Sequence, residues 1–407
     1  MNLRQAEEYL LGLELFGMRF GLDRMHKLMT VLGLPQRRFA SVHVVGTNGK
    51  TSTVRFCAAI LQRHGLRTGS YTSPHLRSFR ERIEVGEQAI SEADFAAAVA
   101  RAAHAAELVN RTLEPEDRVT QFEALTAAAY HELARRGVEV AVIEAGLGGR
   151  FDATNVIPSK VQVLTNVGLE HTRWLGPTVG DIAEEKLAVV RDHATLVTPK
   201  ALPDEVEGVA QRVLAERRAR RVRAAPALGG FQRANFALAA TATSAFLGRQ
   251  LDQAAVRAAE SETRIPGRMD LVARDPLTIY DGAHNPSGAR ALAEALPEVV
   301  RERRPRVAVI SVLEDKDAAG MLRELAPRFD RFVFTRCVNP RALSPGTLET
   351  LADKLAGPPS ETVADPGAAV ERGRALAGRV GAVVATGSIY LVADLVREAG
   401  DARASTL

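Results

Sequence analysis

The sequence predicts an α/β protein in two parts: a doubly wound, mostly parallel sheet built around a phosphate-binding loop (a P-loop), then a smaller C-terminal α/β unit of Rossmann-like type. Three observations predict it. The apolar run Val42-His43-Val44-Val45 breaks into Gly46-Thr47-Asn48-Gly49-Lys50-Thr51-Ser52-Thr53 and then into a helical pattern, which is a strand, loop, helix order. Two more short apolar runs, 138–143 and 161–165, each end in a polar cluster and alternate with helical segments. Finally, Arg264-Ile265-Pro266-Gly267-Arg268 interrupts the pattern before a new strand and helix series begins. The expected division is 1–265, a hinge at 266–270, and 271–407.

A chain of 407 residues is too long for one core and suggests two or three domains. Its 46% hydrophobic and 25% charged residues are those of a soluble globular protein. Met1 to Leu10 is amphipathic and has no apolar h-region, and no run approaches a membrane span, so neither a signal peptide nor a membrane partner is expected. Cys57 and Cys337 lie far apart, which argues against a disulfide framework and for a reducing cytoplasm. Net charge is +4 and the isoelectric point is near 9.2. The densest basic run, Arg217, Arg218, Arg220, Arg221 and Arg223, has no interleaved aromatics, so it reads as a solvated helix end and not as a nucleic-acid surface.

The elements follow in order. Residues 1–37 read as two helices, the second from Leu22 to Leu32 with Gly33 and Pro35 as its stop, and a flexible element at 16–21 between them. Val54, Cys57, Ala58 and Leu61 share one face of the helix after the loop, and Gly65 ends it. Arg67 to Tyr71 is a short strand that runs into Thr72-Ser73-Pro74-His75-Leu76, where Pro74 keeps Thr72 and Ser73 out of a helix. Ile83 and Val85 alternate as a strand, Ser91 with Asp94 and Thr120 with Glu123 read as capping boxes of two helices, and Gly137 closes the second. Thr178 with Asp181 opens a helix bearing Glu184, Glu185 and Lys186. Residues 200–230 support only a helix and a connection, and Gln232 to Phe246 is amphipathic with Asn235 near its start. Beyond the proline-glycine break, strands are expected at 277–280, 307–312, 332–335 and 382–385.

Several polar groups should gather at one sheet edge. In the loop, converging N–H groups, a helix N-terminus and Lys50 suit an ATP phosphate tail, and Thr51 can offer a hydroxyl to Mg²⁺. Val44 replaces the glycine of the usual signature, so the loop is a variant, and the bland alternative is an ordinary turn capped by Thr51 or Ser52. Run 138–143 delivers Glu144 at a strand tip where a hard cation could sit; the alternative is a buried acid paired with Arg150. Run 161–165 leads to Asn166-Val167-Gly168-Leu169-Glu170-His171, with His171 read as a ligand or as a structural histidine. In the second unit, Asp281-Gly282-Ala283-His284-Asn285-Pro286 and Leu313-Glu314-Asp315-Lys316-Asp317 could form the facing wall.

Taken together, Gly46 to Lys50, Thr72 to Leu76 with Phe79-Arg80-Glu81-Arg82-Ile83, Glu144-Ala145-Gly146-Leu147-Gly148-Gly149-Arg150 and Asp281 to Pro286 resemble the folylpolyglutamate synthase and dihydrofolate synthase family of the Mur ligase superfamily. The resemblance runs from the loop at Phe16 to Thr386-Gly387-Ser388-Ile389-Tyr390. It implies that ATP phosphorylates a carboxylate of folate or dihydropteroate, and that the amine of L-glutamate attacks the acyl phosphate. By the same resemblance Asn48, Gly49, Lys50, Thr51, Ser52, Gln232, Asn235, Arg268 and Asp281 contact ATP. Thr51, Ser73, Glu144, His171 and Lys186 match Mg²⁺ ligands, two ions being implied, with Lys186 carried as a carbamate. His284 lies in the motif associated with the amino-acid substrate and with domain closure, so Lys50, Lys186 and His284 are the catalytic candidates. The family's usual residues differ at Thr51, at Leu187-Ala188 and at Glu170, where an aspartate is expected.

Two other readings compete. A cell-wall ligase of the same superfamily usually has a separate N-terminal domain, and only about forty-five residues precede Gly46. A P-loop ATPase or switch with a partner-binding second domain would turn over ATP without glutamate. The expected enzyme is a cytoplasmic monomer working on small molecules.

Overall fold

A computed structural model gives the fold and describes residues 1–14, 21–226 and 229–397. The flexible element expected at 16–21 lies, but for Gly21, outside the described residues. The first sheet comprises β1 (Ala40–Val45), β2 (Thr68–Tyr71), β3 (Ile83–Val85), β4 (Gln88–Ala89), β5 (Val140–Glu144), β6 (Val161–Leu164), β7 (Thr195–Thr198) and β8 (Arg220–Arg223). Their spatial order is β4-β3-β2-β5-β1-β6-β7-β8. The run from β2 to β8 is parallel, while β3 and β4 turn back antiparallel at one edge.

Helices cover both faces of this sheet, which is why β5 and β6 are buried at every position and β1 from Ser41 onward, not at alternate ones. On β5, Ala141 and Ile143 pack into the cluster beneath helices Glu92–Asn110 and Gln121–Arg135. Val140 and Val142 pack on the other face, with Val54, Cys57 and Leu61 of helix Lys50–Arg63 and Phe236 and Ala239 of helix Phe231–Leu247. Thr120 and Glu123 form the expected reciprocal cap, as do Thr178 and Asp181. Ser91 caps Asp94 N, but Asp94 returns its carboxylate to the Ser91 hydroxyl and not to the backbone.

The second sheet contains β9 (Asp270–Arg274), β10 (Leu277–Tyr280), β11 (Arg306–Ile310), β12 (Arg331–Phe334), β13 (Ser360–Thr362) and β14 (Ala382–Thr386). Its order is β13-β12-β11-β14-β10-β9, parallel except for β9. Cys57 and Cys337 are buried free thiols. No helix among the described residues is long and apolar enough to cross a membrane.

The stretch from 195 to 230 corrects the sequence reading. Helix Asp204–Glu216 ends before the arginine run, and Arg220 to Arg223 form an edge strand paired with β7, not a solvated helix end. Three of these arginines are tied inward: Arg220 Nε donates to Thr195 Oγ1 (2.7 Å), Arg221 Nη1 to Glu207 (2.7 Å) and Arg223 Nη2 to Glu207 (3.1 Å). Strand β9 was also unforeseen, because Leu271 and Val272 are partly exposed on an edge and leave no alternation to read.

Candidate active site

The loop after β1 is shaped by two glycines. Gly46 has φ 152° and a side chain there would collide with Thr165 Oγ1. Gly49 has φ 80°, and a Cβ would lie 2.3 Å from Asn235 Oδ1. The loop is tied to the end of β6 through Thr47 N to Asn166 O (3.0 Å), Asn48 N to Asn166 Oδ1 (2.9 Å) and Thr165 Oγ1 to Asn48 O (2.6 Å). No side chain caps helix Lys50–Arg63, so its first N–H groups stay available to an anion at a positive helix end.

Two ammonium groups converge on one carbonyl. Lys50 Nζ donates to Gly46 O (3.0 Å) and Thr47 O (3.2 Å), and Lys186 Nζ donates to the same Gly46 O (3.0 Å). Lys186 is buried, and burial, reinforced by the Lys50 charge, brings its pKa down to about 7. Its helical neighbours do not pair with it, since Glu184 binds Arg212 (2.6 Å) and Glu185 binds Arg150 (2.8 Å). That same pair removes Arg150 as a partner for Glu144.

Glu144 ends β5 opposite Val44 of β1, one strand from the loop. Its Oε1 accepts from Thr51 Oγ1 (3.1 Å) and its Oε2 from Ser73 N (3.2 Å). Burial raises its pKa, and the Lys50 charge and these donors oppose that rise. Among the described residues no three of His, Cys, Asp or Glu are grouped to hold a metal. The donor set here is one buried carboxylate with hydroxyls, which fits a magnesium-class ion that completes its shell with phosphate and water.

His171 is not at the tip of β6. It lies beyond it in a left-handed conformation (φ 52°) before the short helix Thr172–Leu175, its Nε2 3.8 Å from Glu170 Oε1. Glu170 also accepts from His284 Nε2 (2.9 Å) and faces Lys316 Nζ (3.6 Å), so it joins the first sheet's edge to the second unit. Burial alone would raise its pKa, but His284 holds it well below the usual carboxylate range. His284 Nδ1 lies 2.9 Å from Gly282 O, so both ring nitrogens face acceptors.

The remaining nucleotide candidates form a bridge. Asn235 Nδ2 donates to Gln232 Oε1 (3.2 Å), Gln232 Nε2 to Arg268 O (3.2 Å), and Arg268 Nη1 to Gly282 O (3.0 Å). Asp281 accepts from Met269 N (2.8 Å) and Ala283 N (2.9 Å), with its pKa raised by burial. Asn48 turns toward the second unit in a reciprocal amide pair with Asn285 (3.1 Å each way), and it donates to Ser287 Oγ (2.9 Å). Ser52 is buried in the first turn of its helix.

A cavity of about 630 Å³ opens beyond the turn that follows β5, walled by Phe122, Leu147, Phe151 and Trp174, with Arg24 and Glu123 among its polar lining. Arg24 Nε binds Glu123 at 2.9 Å, and the Phe122 ring lies 6.1 Å from that of Tyr71, at the end of β2. The sequence reading missed this cavity, the Glu170 junction and the Asn48–Asn285 pair. The usable signal was three aromatics beside turn motifs in a chain with only 5% aromatic residues.

Family models match at two places: the Mur ligase middle domain at residues 44–205, and the Mur ligase glutamate ligase domain at residues 267–389. A dihydrofolate synthase/folylpolyglutamate synthase of Mycobacterium tuberculosis is 35% identical over 382 residues, covering 83% of this chain and 78% of that protein. The structure resembles Mycobacterium tuberculosis folylpolyglutamate synthase complexed with ADP, with a TM-score of 0.89, 33% identity and 96% of each chain covered. It also resembles a bifunctional folylpolyglutamate synthase/dihydrofolate synthase from Yersinia pestis complexed with AMPPNP and a Mn ion, with a TM-score of 0.83, 30% identity and 97% of each chain covered.

Proposed function

Because the chain belongs to the folylpolyglutamate synthase and dihydrofolate synthase family of Mur ligases, we propose that it uses ATP to join the amine of L-glutamate to a carboxylate of a pteroate or folate. The observation that carries this reading is Glu144, a buried carboxylate at the end of β5 that accepts from Thr51 of the phosphate loop and from Ser73 N, with an aromatic-walled cavity opening three residues further along the chain at Leu147. The cavity suits a flat heteroaromatic end, with rings on its walls and hydrogen-bonding side chains at its base.

A carboxylate is a poor acyl donor until one of its oxygens becomes a phosphate leaving group. In the first step that oxygen attacks the γ-phosphorus, the bond to the β,γ-bridging oxygen breaks, and ADP leaves with the electron pair. In the second, the glutamate amine attacks the acyl carbon, inorganic phosphate leaves, and the amine proton is lost. The chain's part is positioning and charge neutralisation. Free N–H groups at Gly49 to Thr51, with Lys50, hold the phosphates. Gln232, Asn235, Arg268 and Asp281 draw the second unit onto the nucleotide, and His284 and Lys316 face the incoming amino acid.

Thr51, Ser73 and Glu144 would hold one divalent ion, and His171 with a carbamate on Lys186 a second. When bound, such ions neutralise phosphate charge. The support is that Glu144 meets only hydroxyl and N–H groups, and that Lys186 is buried with no acidic partner. We read the enzyme as a cytoplasmic monomer. The test is ADP release with dihydropteroate plus glutamate, with reduced folate plus glutamate, and with neither. Glutamate-dependent release is expected with a pteridine, and release indifferent to glutamate would return the chain to the class of ATPases and switches.

A further inference from the structure

Where the two units meet, one carboxylate is ringed by bases. The Glu170 side chain is only 9% exposed, and its Oε1 accepts from His284 Nε2 (2.9 Å) while lying 3.6 Å from Lys316 Nζ and 3.8 Å from His171 Nε2. Lys50 acts on it through space. His284 follows β10 and Lys316 follows β11, so two of these groups reach across from the second unit and converge on a single oxygen of the first. A largely buried ion pair of this kind is weak evidence for a role in stability, because desolvation of both charges offsets most of their attraction.

The chain is held firmly up to this point and less firmly beyond it. Asn166 Oδ1 accepts from Asn48 N (2.9 Å), Gly168 N donates to Thr47 Oγ1 (3.0 Å), and Thr47 Oγ1 lies 3.2 Å from Gly168 O. Residues 166 and 168 are thus pinned to the phosphate loop. Leu169 is 58% exposed, and His171 adopts a left-handed backbone (φ 52°) that is costly for a side chain with a Cβ. Glu170 therefore sits on a short stretch that can swing away while the phosphate loop stays in place.

On the ligase reading, His284 and Lys316 face the incoming amino acid, whose carboxylates are the same chemical group as the Glu170 side chain. Here both bases are already taken. A second carboxylate brought to the same pair would meet the first at close range, and like charges repel.

We propose that Glu170 is a place-holder for a carboxylate of the incoming amino acid: it occupies His284 and Lys316 until L-glutamate displaces it, and so sets the affinity for that substrate. The proposal rests on the ligase reading above. A ligand whose site is open in only a fraction of molecules binds more weakly by that fraction, so removing the competitor tightens binding. A tie whose purpose is to hold the units closed has the opposite sign, since its loss would weaken binding.

The test compares the full-length enzyme with Glu170→Gln, which lacks the charge, and Glu170→Asp, which is one methylene shorter. KM for L-glutamate is measured at saturating ATP, Mg²⁺ and dihydropteroate. Inhibition by glutarate, which has both carboxylates of glutamate and no amine, reads binding without reaction. Both variants should bind glutamate and glutarate more tightly than wild type, Glu170→Gln by about fivefold or more, with KM for ATP within about twofold. Should Glu170→Gln fail to fold, Glu170→Asp carries the same comparison. Glutamate and glutarate held as in wild type, or more weakly, would overturn the proposal and leave the ligase reading standing. Absence of glutamate-dependent ADP release by wild type with either pteridine would instead remove the ligase reading, and the place-holder with it.

Discussion

Gly46 O accepts from Lys50 and Lys186 together, and the two charges repel one another across a single carbonyl oxygen. An ATP phosphate tail relieves Lys50. Substituting Lys50→Ala should leave the fold intact, since the side chain holds only loop carbonyls, and should lower ATP-dependent ligation by roughly 10²- to 10³-fold, the scale of one lost charge-stabilising donor. Steady-state turnover of the purified variant, with circular dichroism to confirm folding, checks this. Relief at Lys186 has another route. Its lowered pKa leaves much of the amine neutral at physiological pH and open to CO₂, and the resulting carbamate keeps one N–H for Gly46 O while gaining two hard oxygens. We expect a carbamate carbon bonded to Lys186, visible by ¹³C NMR after labelled bicarbonate. Lys186→Arg should lose most ligation while still binding ATP, because a guanidinium stays protonated. Lys50 and Glu144 were legible in the sequence because a loop motif and a strand tip announce them, whereas Lys186, inside a helix, stood out only through the family resemblance. Glu170 was not, for it registered only as a departure from the family's aspartate, and its meeting with His284 and Lys316 is set by how two distant segments fold together.

At the scale of elements, the phosphate loop does not stand alone. The Asn48–Asn285 pair and the Glu170–His284 contact reach it from the second unit, while Gln232 and Asn235 tie Arg268 back to Gly49. We propose segment 264–270 as the hinge, since the candidate nucleotide residues fall on both sides of it. We expect small-angle scattering to show a more compact particle with ATP, Mg²⁺ and folate than without them, and Asn48→Ala to reduce that change while keeping most nucleotide affinity. Identical profiles with and without these ligands would dispose of the hinge. The longer apolar strands were read from the sequence, β1, β5 and β6 around the phosphate loop among them. β4, β7, β8, β9 and β13 were not: β4 and β13 are very short, β7 has only Leu196 and Val197 between two threonines, β8 is arginine-rich and β9 is half exposed.

Considered whole, the molecule offers the aromatic-walled cavity at Phe122, Phe151 and Trp174 as the place we assign to either pteridine. We therefore predict both activities, glutamate addition to dihydropteroate and to reduced folate, at the same centre. Each substrate should competitively inhibit ligation of the other, and glutamate-dependent ADP release with only one of them would restrict the enzyme to a single product. No residue in the sequence decides between the two. The arginines of β8 bear on a different matter. Strand edges invite neighbouring chains to add on, and a parallel sheet exposes such edges while it is still assembling. On β8 any approaching strand meets a row of guanidinium groups, held in register by Thr195, Thr198 and Glu207, that would face an identical row on a second copy. We expect that row of like charge to disfavour the stacking of crowded copies through that side into fibrous aggregates.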